Sequence, residues 1–480
     1  MIFNSLDFAL FLPIVFVLYW FVTNKSLTLQ NILLLVSSYF FYAFWDPRFL
    51  LLLMFSTFLD YYTGIRMHDA NGHKWRKFWF WLSISVNVGF LAVFKYYNFF
   101  AESFAGLLEN FGLHVEVWTL QIILPVGISF YTFHGLSYVI DIYKERIKPE
   151  RNFVDYAVFV SFFPLLVAGP IERATHLLPQ IQKKRVFDYT QAVDGLRQIL
   201  WGLFKKVVVA DGCAEYANMI FNGADDYSGS TLVMGAIFFT FQIYCDFSGY
   251  SDIALGTARL FGIELLRNFS YPYFSRDIAE FWRRWHISLS SWFRDYLYIP
   301  LGGSKGGTWM KIRNTFIIFV VSGFWHGANW TFIVWGALNA LYFMPLMLTN
   351  SNRSNLEIVA QGKYFPTVRE LLGMVITFIM AVFGWIFFRA QDMTHAIKYI
   401  QGIFTDALFK KPDLPELADL TIFFIFFMLI IEWIGRENKY GLEQFGKRWY
   451  TPFRWLFYSF LIVCIIVLSG KEQEFIYFQF

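Results

Sequence analysis

Tryptophan, arginine and histidine alternate densely within residues 271–303, between two long apolar stretches. The side chains there that can do chemistry are Trp282, Arg283, Arg284, Trp285, His286, Arg294 and Asp295. Guanidinium groups bind anions in a fixed geometry, and imidazole exchanges protons near neutral pH. Charges beside a bilayer are costly and tend to line functional cavities. The block therefore predicts a cavity wall that holds an anionic ligand, and a basic-aromatic belt at a membrane interface is the alternative.

A second block, residues 321–336, places His326 and Asn329 among almost purely apolar side chains, with Trp325 directly before the histidine. A neutral imidazole in a low-dielectric site can take the proton of an alcohol that attacks a thioester carbonyl. Asn329 is expected on the same helical face as His326, where its amide would fix the ring tautomer. A histidine buried for structural reasons is the alternative.

Asp246 stands in an otherwise apolar stretch and is a further candidate for the same cavity. Gly249, shortly after it, is expected to break the helix there. A buried carboxylate is costly unless it is paired, so an ion pair with an arginine is the alternative role of Asp246. The eight histidines are scattered and the three cysteines lack close spacing, so no metal site is predicted.

The elements that position these blocks are those of a membrane protein. The chain has 480 residues, of which 57% are hydrophobic and 16% are charged. Soluble domains carry about 25% charged residues, so much of this surface is expected to contact membrane lipid. The net charge of +4 is small, and the basic residues fall in short loops. That pattern indicates topology signals and excludes nucleic-acid binding.

We therefore expect an all-α polytopic membrane protein with roughly 11 transmembrane helices plus re-entrant and interfacial helices. Loop charges place residues 66–77 and 141–153 in the cytoplasm and the 95–119 loop outside. No internal repeat and no second domain is visible, which predicts a single domain over 1–480 with a motif core at 240–340. The candidate spans lie near 6–22, 28–45, 48–65, 78–94, 120–140, 154–169, 230–249, 311–324, 328–348, 370–388, 419–434 and 452–469.

Residues 188–210 have the pattern of an amphipathic helix. Apolar residues at helical spacing lie opposite charged ones, the latter being Asp194, Arg197, Lys205 and Lys206. Such a helix lies either at the membrane interface, with its charges in water, or in the core among the spans.

Taken together, the two blocks make the chain resemble the membrane-bound O-acyltransferase family, in particular its bacterial alginate O-acetyltransferase branch. The resemblance rests on Phe-Trp-Arg-Arg-Trp-His-Ile-Ser-Leu-Ser-Ser-Trp-Phe-Arg-Asp-Tyr at 281–296 and Trp-His-Gly-Ala-Asn-Trp-Thr-Phe at 325–332. It extends to shorter matches at 3–8, 39–46, 125–133, 168–171 and 475–480.

The resemblance implies a ring of tilted helices around a central funnel or tunnel in a bacterial inner membrane. His326 matches the hallmark histidine of the tunnel, and His286 matches a second histidine. The implied donor is a cytoplasmic thioester, acetyl-CoA or an acylated carrier protein, with no permanently bound cofactor. The acyl group, expected to be acetyl, would go to an exported polysaccharide or a periplasmic or membrane-tethered partner transferase. The expected substrate-binding residues are Trp282, Arg283, Arg284, Trp285, Arg294, Asp295, Asp246, Trp325 and Asn329.

Two alternatives remain at this stage. The first keeps the fold and changes the chemistry to D-alanyl transfer from a carrier protein to teichoic acid. The second is a different class, a secondary transporter or flippase, although the absence of a repeat in the sequence disfavours it.

Overall fold

The computed structural model describes residues 1–115, 118–120, 123–167, 169–470, 473 and 475–476. Within those ranges every regular element is helical, which confirms the all-α prediction. The chain packs as two compact units, residues 1–192 with 258–266 and residues 193–257 with 267–480. Of the matches that carried the resemblance, residue 168 and part of 475–480 lie outside the described residues.

The first unit contains α1 to α9 and the beginning of α10. Its helices are α1 Leu6–Val17, α2 Leu27–Ala43, α3 Pro47–His68, α4 His73–Leu91, α5 Tyr97–Glu109, α6 Ile128–Tyr143, α7 Phe153–Ser161, α8 Phe163–Leu166 and α9 Ala174–Ile181, with π-helical turns at Leu18–Val22 and Ala92–Tyr96. Helix α3 packs against α4 and α6. Gly135 permits the α3–α6 contact, because a Cβ atom there would lie 1.9 Å from Asp60 Oδ2.

The second unit contains the remaining helices and both sequence blocks. Its helices are α10 Tyr189–Leu203, α11 Asp211–Asn222, α12 Gly229–Leu260, α13 Ile278–Arg284, α14 Ile287–Phe293, α15 Gly307–His326, α16 Trp330–Leu348, α17 Val368–Arg389, α18 Met393–Ile403, α19 Ala418–Ile434 and α20 Thr451–Val467. Short π-helical segments lie at Phe204–Ala210 and Arg294–Tyr298, and 3-10 turns lie at Ala224–Asp226, Pro272–Phe274 and Asp406–Phe409. The first residues of α10 and the last of α12 belong to the first unit.

Helices α15 and α16 form a tight antiparallel pair in which glycines bring the two backbones together. A Cβ atom on Gly323 would lie 2.2 Å from the Phe332 carbonyl oxygen, and one on Gly336 would lie 2.4 Å from that of Phe319. Small residues at helix crossings allow such approach in membrane proteins, where dispersion replaces the hydrophobic effect as the driving force. The pair fixes where α15 ends, and α15 ends at His326.

Four helical stretches in the described part of the chain are long and apolar enough to cross a membrane. They are His73–Glu109, Gly229–Leu260, Trp330–Leu348 and Val368–Arg389, and shorter apolar helices are Leu6–Val22, Leu27–Ala43 and Thr451–Val467. A polytopic membrane protein is consistent with these helices, while the number of about 11 crossings and the central funnel stay predictions. The single domain over 1–480 likewise stays a prediction.

Two expectations about helix ends are wrong. Residues 73–109 are continuously helical, so the predicted loop over 95–119 is helical in its first part, and Glu116 lies outside the described residues. Helix α12 continues through Gly249, which instead allows a close helix contact, since a Cβ atom there would lie 2.8 Å from the Gly202 carbonyl oxygen.

The amphipathic segment 188–210 presents its charges inward. Arg197 is buried and donates to the carbonyl oxygens of Leu442 and Phe445 at 2.5 and 2.9 Å. Lys205 and Lys206 are also buried, whereas the apolar Leu196 is 55% exposed. The interfacial alternative with charges in water is therefore wrong, because ion pairs and carbonyls inside the unit satisfy the charged side.

Candidate active site

His286 lies at a strained corner between α13 and α14. The Asp277 side chain begins α13 by accepting a hydrogen bond of 2.7 Å from Glu280 N. The backbone of His286 then adopts φ 41° and ψ 56°, in the left-handed region, and the residue caps α14. A side-chain-bearing residue is rarely stable there, and such strain often persists at functional sites. The corner turns the imidazole into the unit, where His286 is 1% exposed.

His326 ends α15 inside an aromatic frame. Its ring centroid lies 4.8 Å from that of Trp325, 5.3 Å from that of Trp335 and 5.3 Å from that of Phe388. The residue is 4% exposed. Phe332, in the first turn of α16, packs edge-on against Phe388 at 4.8 Å and closes one side of the frame. The second sequence block therefore delivers a buried imidazole among flat apolar faces.

The two histidines come together. The centroids of the His286 and His326 rings lie 6.4 Å apart, and Trp325 contacts both rings, at 6.1 Å from His286 and 4.8 Å from His326. Phe247 of α12 meets the His286 ring edge-on at 4.6 Å. Two side chains that can transfer protons thus share one apolar surrounding, which gives the site groups able to do acid–base chemistry on a hydroxyl.

Trp282 and Trp285 extend this apolar surrounding from α13 and from the turn that follows it. Trp285 stacks on Phe281 with centroids 5.5 Å apart and contacts Trp385 at 4.9 Å. Trp282 contacts Trp335 at 5.7 Å. These rings form a continuous aromatic wall that reaches the His326 frame through Trp335.

Trp335, Trp385, Phe388 and Phe247 were not expected at the site. Trp335 lies in the second sequence block and could have been included on that ground. The other three occupy apolar spans, where nothing distinguishes a ring that meets a histidine from one that meets lipid.

Arg283 and Arg284 are engaged within the protein. Arg283 donates to the carbonyl oxygens of Asn352 and Asn355 at 2.8 and 2.7 Å. Arg284 donates to Glu280 Oε1 at 2.8 Å and to the Ser270 carbonyl oxygen at 3.1 Å. Each guanidinium group thus binds protein atoms, and these bonds give no support to the expectation that the two arginines bind a ligand, which stays a prediction.

The loop that contains Asn352 and Asn355 also accepts hydrogen bonds from two other arginines. Arg276 donates to the Glu357 carbonyl oxygen at 2.5 Å, and Arg436 donates to those of Val359 and Ala360 at 3.0 and 2.6 Å. We call residues 352–363 the tethered loop.

Arg294 and Asp295 lie beyond α14, in the π-helical segment. Arg294 Nε donates to Asp295 Oδ1 at 2.8 Å, and the Arg294 side chain is 62% exposed. An exposed ion pair contributes little to stability. Of the four arginines in the block, Arg294 is the one whose charge faces outward.

Asp246 forms a buried ion pair. Lys206 Nζ lies 2.8 Å from Asp246 Oδ1 and 2.7 Å from Asp211 Oδ1, and Ile476 N donates to Asp246 Oδ2 at 2.7 Å. The alternative of ion pairing is confirmed, although the partner is a lysine and not an arginine. The expected place of Asp246 in a substrate site has no support in these contacts.

Asn329 has a structural role. Its Oδ1 accepts from Thr331 N at 3.1 Å, which caps α16, and its Nδ2 donates to the Gln391 carbonyl oxygen at 2.8 Å. The expectation that it shares a helical face with His326 is wrong, because α15 ends at His326 and Asn329 begins the next helix.

Comparison with known proteins finds a family and several relatives. The MBOAT model, described as the membrane-bound O-acyltransferase family, matches residues 34–388. The chain is 39% identical to the probable alginate O-acetylase AlgI of Pseudomonas aeruginosa, over 88% of this chain and 78% of that protein. It is 36% identical to the peptidoglycan O-acetyltransferase of Helicobacter pylori, over 82% and 77% of the two chains. It is 28% identical to the teichoic acid D-alanyltransferase of Bacillus subtilis, over 56% and 70%.

Proposed function

This chain belongs to the membrane-bound O-acyltransferase family, and we propose that it moves an acetyl group from a thioester donor to a hydroxyl group of an exported polysaccharide or of a partner transferase. The enzyme class expected from the sequence, a membrane O-acyltransferase, is confirmed by the family match. The same match sets aside the transporter alternative. The observation that carries the proposal is the buried pair of His286 and His326, with Trp325 in contact with both rings.

Acyl transfer to a hydroxyl group needs one general base, which accepts the proton of that hydroxyl. His326 accepts the hydroxyl proton as the oxygen forms a bond to the acetyl carbonyl carbon. The carbon–sulfur bond of the thioester then breaks, and the proton passes from the imidazole to the leaving sulfur, so the products are an ester and a thiol. A positioned base contributes about 10²–10⁴-fold to such a step. His286 lies close enough to His326 to orient or share the same hydroxyl.

The aromatic frame supports this assignment. Trp325, Trp335 and Phe388 surround the His326 ring and leave little room for bulk water. A site that excludes water protects a thioester from hydrolysis and strengthens hydrogen bonds at the reacting atoms. Acyl transfer to a hydroxyl is favoured over loss of the acyl group to water.

The donor is acetyl-CoA or an acylated carrier protein, used as a substrate and not held as a resident cofactor. Both carry phosphopantetheine, whose anionic phosphate suits an exposed guanidinium. Arg294 is the arginine of the block that offers one. We place the donor on the cytoplasmic side of a bacterial inner membrane and the acceptor, with its periplasmic or membrane-tethered partner transferase, on the other side.

Acetyl is favoured over D-alanyl as the group transferred. Identity to the O-acetylating relatives is 36–39% over more than four-fifths of this chain, against 28% over 56% for the teichoic acid D-alanyltransferase. Two of these relatives are named for alginate and peptidoglycan, both glycans, which supports a polysaccharide acceptor here.

The test measures release of free thiol from acetyl-CoA and from an acetylated carrier protein by the purified protein in lipid nanodiscs, with an alginate oligosaccharide added as the hydroxyl acceptor. His326→Ala is expected to lower the rate by about 10²–10⁴-fold while the protein inserts and purifies normally. The matched control is His134→Ala, which removes another buried imidazole, from α6. Its rate per folded molecule should stay close to that of the wild type. Retention of the wild-type rate by His326→Ala would contradict the proposal.

A further inference from the structure

Asn268 is bonded to the corner that carries His286. Its backbone carbonyl oxygen accepts from Ile287 N at 2.9 Å, and its Oδ1 accepts from Ser288 Oγ at 2.6 Å. These two donors belong to the two residues that directly follow the histidine. Asn268 is itself 1% exposed, so water does not compete for either bond.

Residue 270 makes matching bonds on the other side of the corner. Ser270 N donates to the Arg284 carbonyl oxygen at 3.0 Å, and Arg284 Nη1 returns a bond of 3.1 Å to the Ser270 carbonyl oxygen. Residues 268–270 thus hold the chain before and after His286. A left-handed backbone at a residue with a side chain persists only where its surroundings fix it.

The far side of Asn268 faces a small polar chamber of about 20 Å³. Lys205, Asp252 and Glu432 line it, with Lys205 Nζ 2.7 Å from Asp252 Oδ2 and 3.8 Å from Glu432 Oε1. The Nδ2 atom of Asn268 is buried and has no hydrogen-bond partner among the described residues. An unsatisfied buried donor is destabilising, so the contribution of Asn268 to the fold comes from its two oxygen atoms, which hold the corner.

We propose that Asn268 is the positioning residue for His286, fixing the imidazole beside His326 through its bonds to Ile287 and Ser288 and separating it from the ionic chamber. The inference rests on the proposed function, in which His286 acts with His326. The carbonyl bond to Ile287 belongs to the backbone and survives substitution. The bond to Ser288 Oγ depends on the side chain, so mutation can remove it alone.

The variants are Asn268→Ala, which removes the acceptor oxygen, and Asn268→Asp, which keeps an oxygen acceptor of the same shape. Asn268→Ala is expected to lower kcat by about 10–100-fold, as a displaced catalytic group does, with the donor KM unchanged. Asn268→Asp should retain most of the wild-type kcat, even though its buried carboxylate lowers thermal stability at least as much as the alanine substitution does. A purely structural role would make activity follow stability in both variants.

The matched control is Asn87→Ala in α4. Asn87 is equally buried and also accepts a serine hydroxyl through Oδ1, from Ser56 at 2.9 Å, but it touches neither histidine block. Its kcat per folded molecule is expected to equal that of the wild type. Ser288→Ala deletes the same bond from its other end and is also expected to lower kcat. It serves as the test if Asn268→Ala does not fold.

The outcomes separate the inference from the proposed function. Wild-type kcat in Asn268→Ala or Ser288→Ala, alongside an inactive His286→Ala, would overturn the positioning role and leave the histidine pair intact. Wild-type kcat in His286→Ala would overturn both the role of that histidine and the inference built on it.

Discussion

The ring centroids of His286 and His326 lie 6.4 Å apart, on chain segments that reach the same pocket by different means. His286 arrives through a left-handed corner before α14, and His326 arrives as the last residue of α15. Neither ring would meet the other if the corner were an ordinary helical turn or if α15 continued. The local backbone at each histidine is therefore part of the site.

The corner at His286 separates strain from chemistry. Alanine at a positive φ costs about 1–2 kcal/mol more than glycine, whereas both remove the imidazole. We expect His286→Gly to unfold at a higher temperature than His286→Ala, with transfer activity equally reduced in both. Thermal unfolding in detergent and the thiol-release assay measure the two effects, and equal melting temperatures would argue against backbone strain at this residue.

The glycine contact between α15 and α16 is expected to be intolerant of a methyl group. In Gly323→Ala the new Cβ would lie 2.2 Å from the Phe332 carbonyl oxygen, so the helices must separate and His326 must move. We expect stability to fall by at least about 1–3 kcal/mol and activity to fall with it. Gly89→Ala in α4 is the control, because nothing lies within 4 Å of its Cβ position. An active, stable Gly323→Ala protein would show that the helices do not touch there.

Arg283 and Arg294 are predicted to differ in what their loss affects. Arg283→Lys gives up the planar fork that binds two carbonyl oxygens of the tethered loop, so thermal stability should fall while the donor KM stays unchanged. Arg294→Ala removes an exposed charge and should raise the donor KM with little loss of stability. Steady-state kinetics with acetyl-CoA checks both. A raised donor KM in Arg283→Lys with an unchanged KM in Arg294→Ala would indicate that Arg283, and not Arg294, binds the donor.

The lysine at the centre of the buried charge cluster is expected to matter more than either carboxylate. Lys206→Met leaves both Asp246 and Asp211 without their cation, and removal of one partner from a buried pair costs about 3–5 kcal/mol. Asp246→Asn leaves Lys206 paired with Asp211 and should cost less. Denaturant titration in mixed micelles ranks the two variants, and greater damage from Asp246→Asn would contradict the reasoning.

Stability should depend on pH through His176. Its Nδ1 lies 2.7 Å from Glu172 Oε2, and this hydrogen bond raises the pKa of His176 above its usual 6.5. A raised folded-state pKa gives stabilisation that is complete below pH 6.5 and is lost as the pH rises through the folded value. The melting-temperature gap between wild type and His176→Gln should therefore be widest in acid and close at alkaline pH. In a Glu172→Gln background the same substitution should produce a smaller pH-dependent gap, because Glu264 alone then raises the pKa of His176.

Much of the site could be read from the sequence because its residues cluster in two blocks of unusual composition. His286, His326 and the three tryptophans expected at the site, Trp282, Trp285 and Trp325, all belong to the aromatic cluster around the two histidines. The partners from α12 and α17, Phe247 and Phe388, could not be read, because an apolar helix shows the same composition whether its rings meet lipid or an imidazole.

The errors have a common physical origin. Arg283 and Arg284 were expected to bind a ligand, and a position in water was one of two alternatives for Lys205 and Lys206, yet carbonyl oxygens and carboxylates inside the unit bind all four. In an apolar medium a charge lowers its free energy by finding an internal partner, and that partner is distant in sequence. Helix α12 does not break at Gly249, and the missing side chain of this glycine instead allows the close contact with Gly202.

Arginines outside the tethered loop donate to backbone carbonyl oxygens within it, and its Ala360 N and Gly362 N donate to carboxylates of Glu370 and Glu437. A carbonyl is present whatever side chain a residue bears. The conformation of this connection between α16 and α17 therefore depends on those arginines, while two of its own side chains are also fixed: Asn355 donates to Asp277 at 2.6 Å and Val359 is fully buried. A fluorescent reporter attached to an exposed side chain of this loop is therefore expected to leave the His286–His326 site undisturbed.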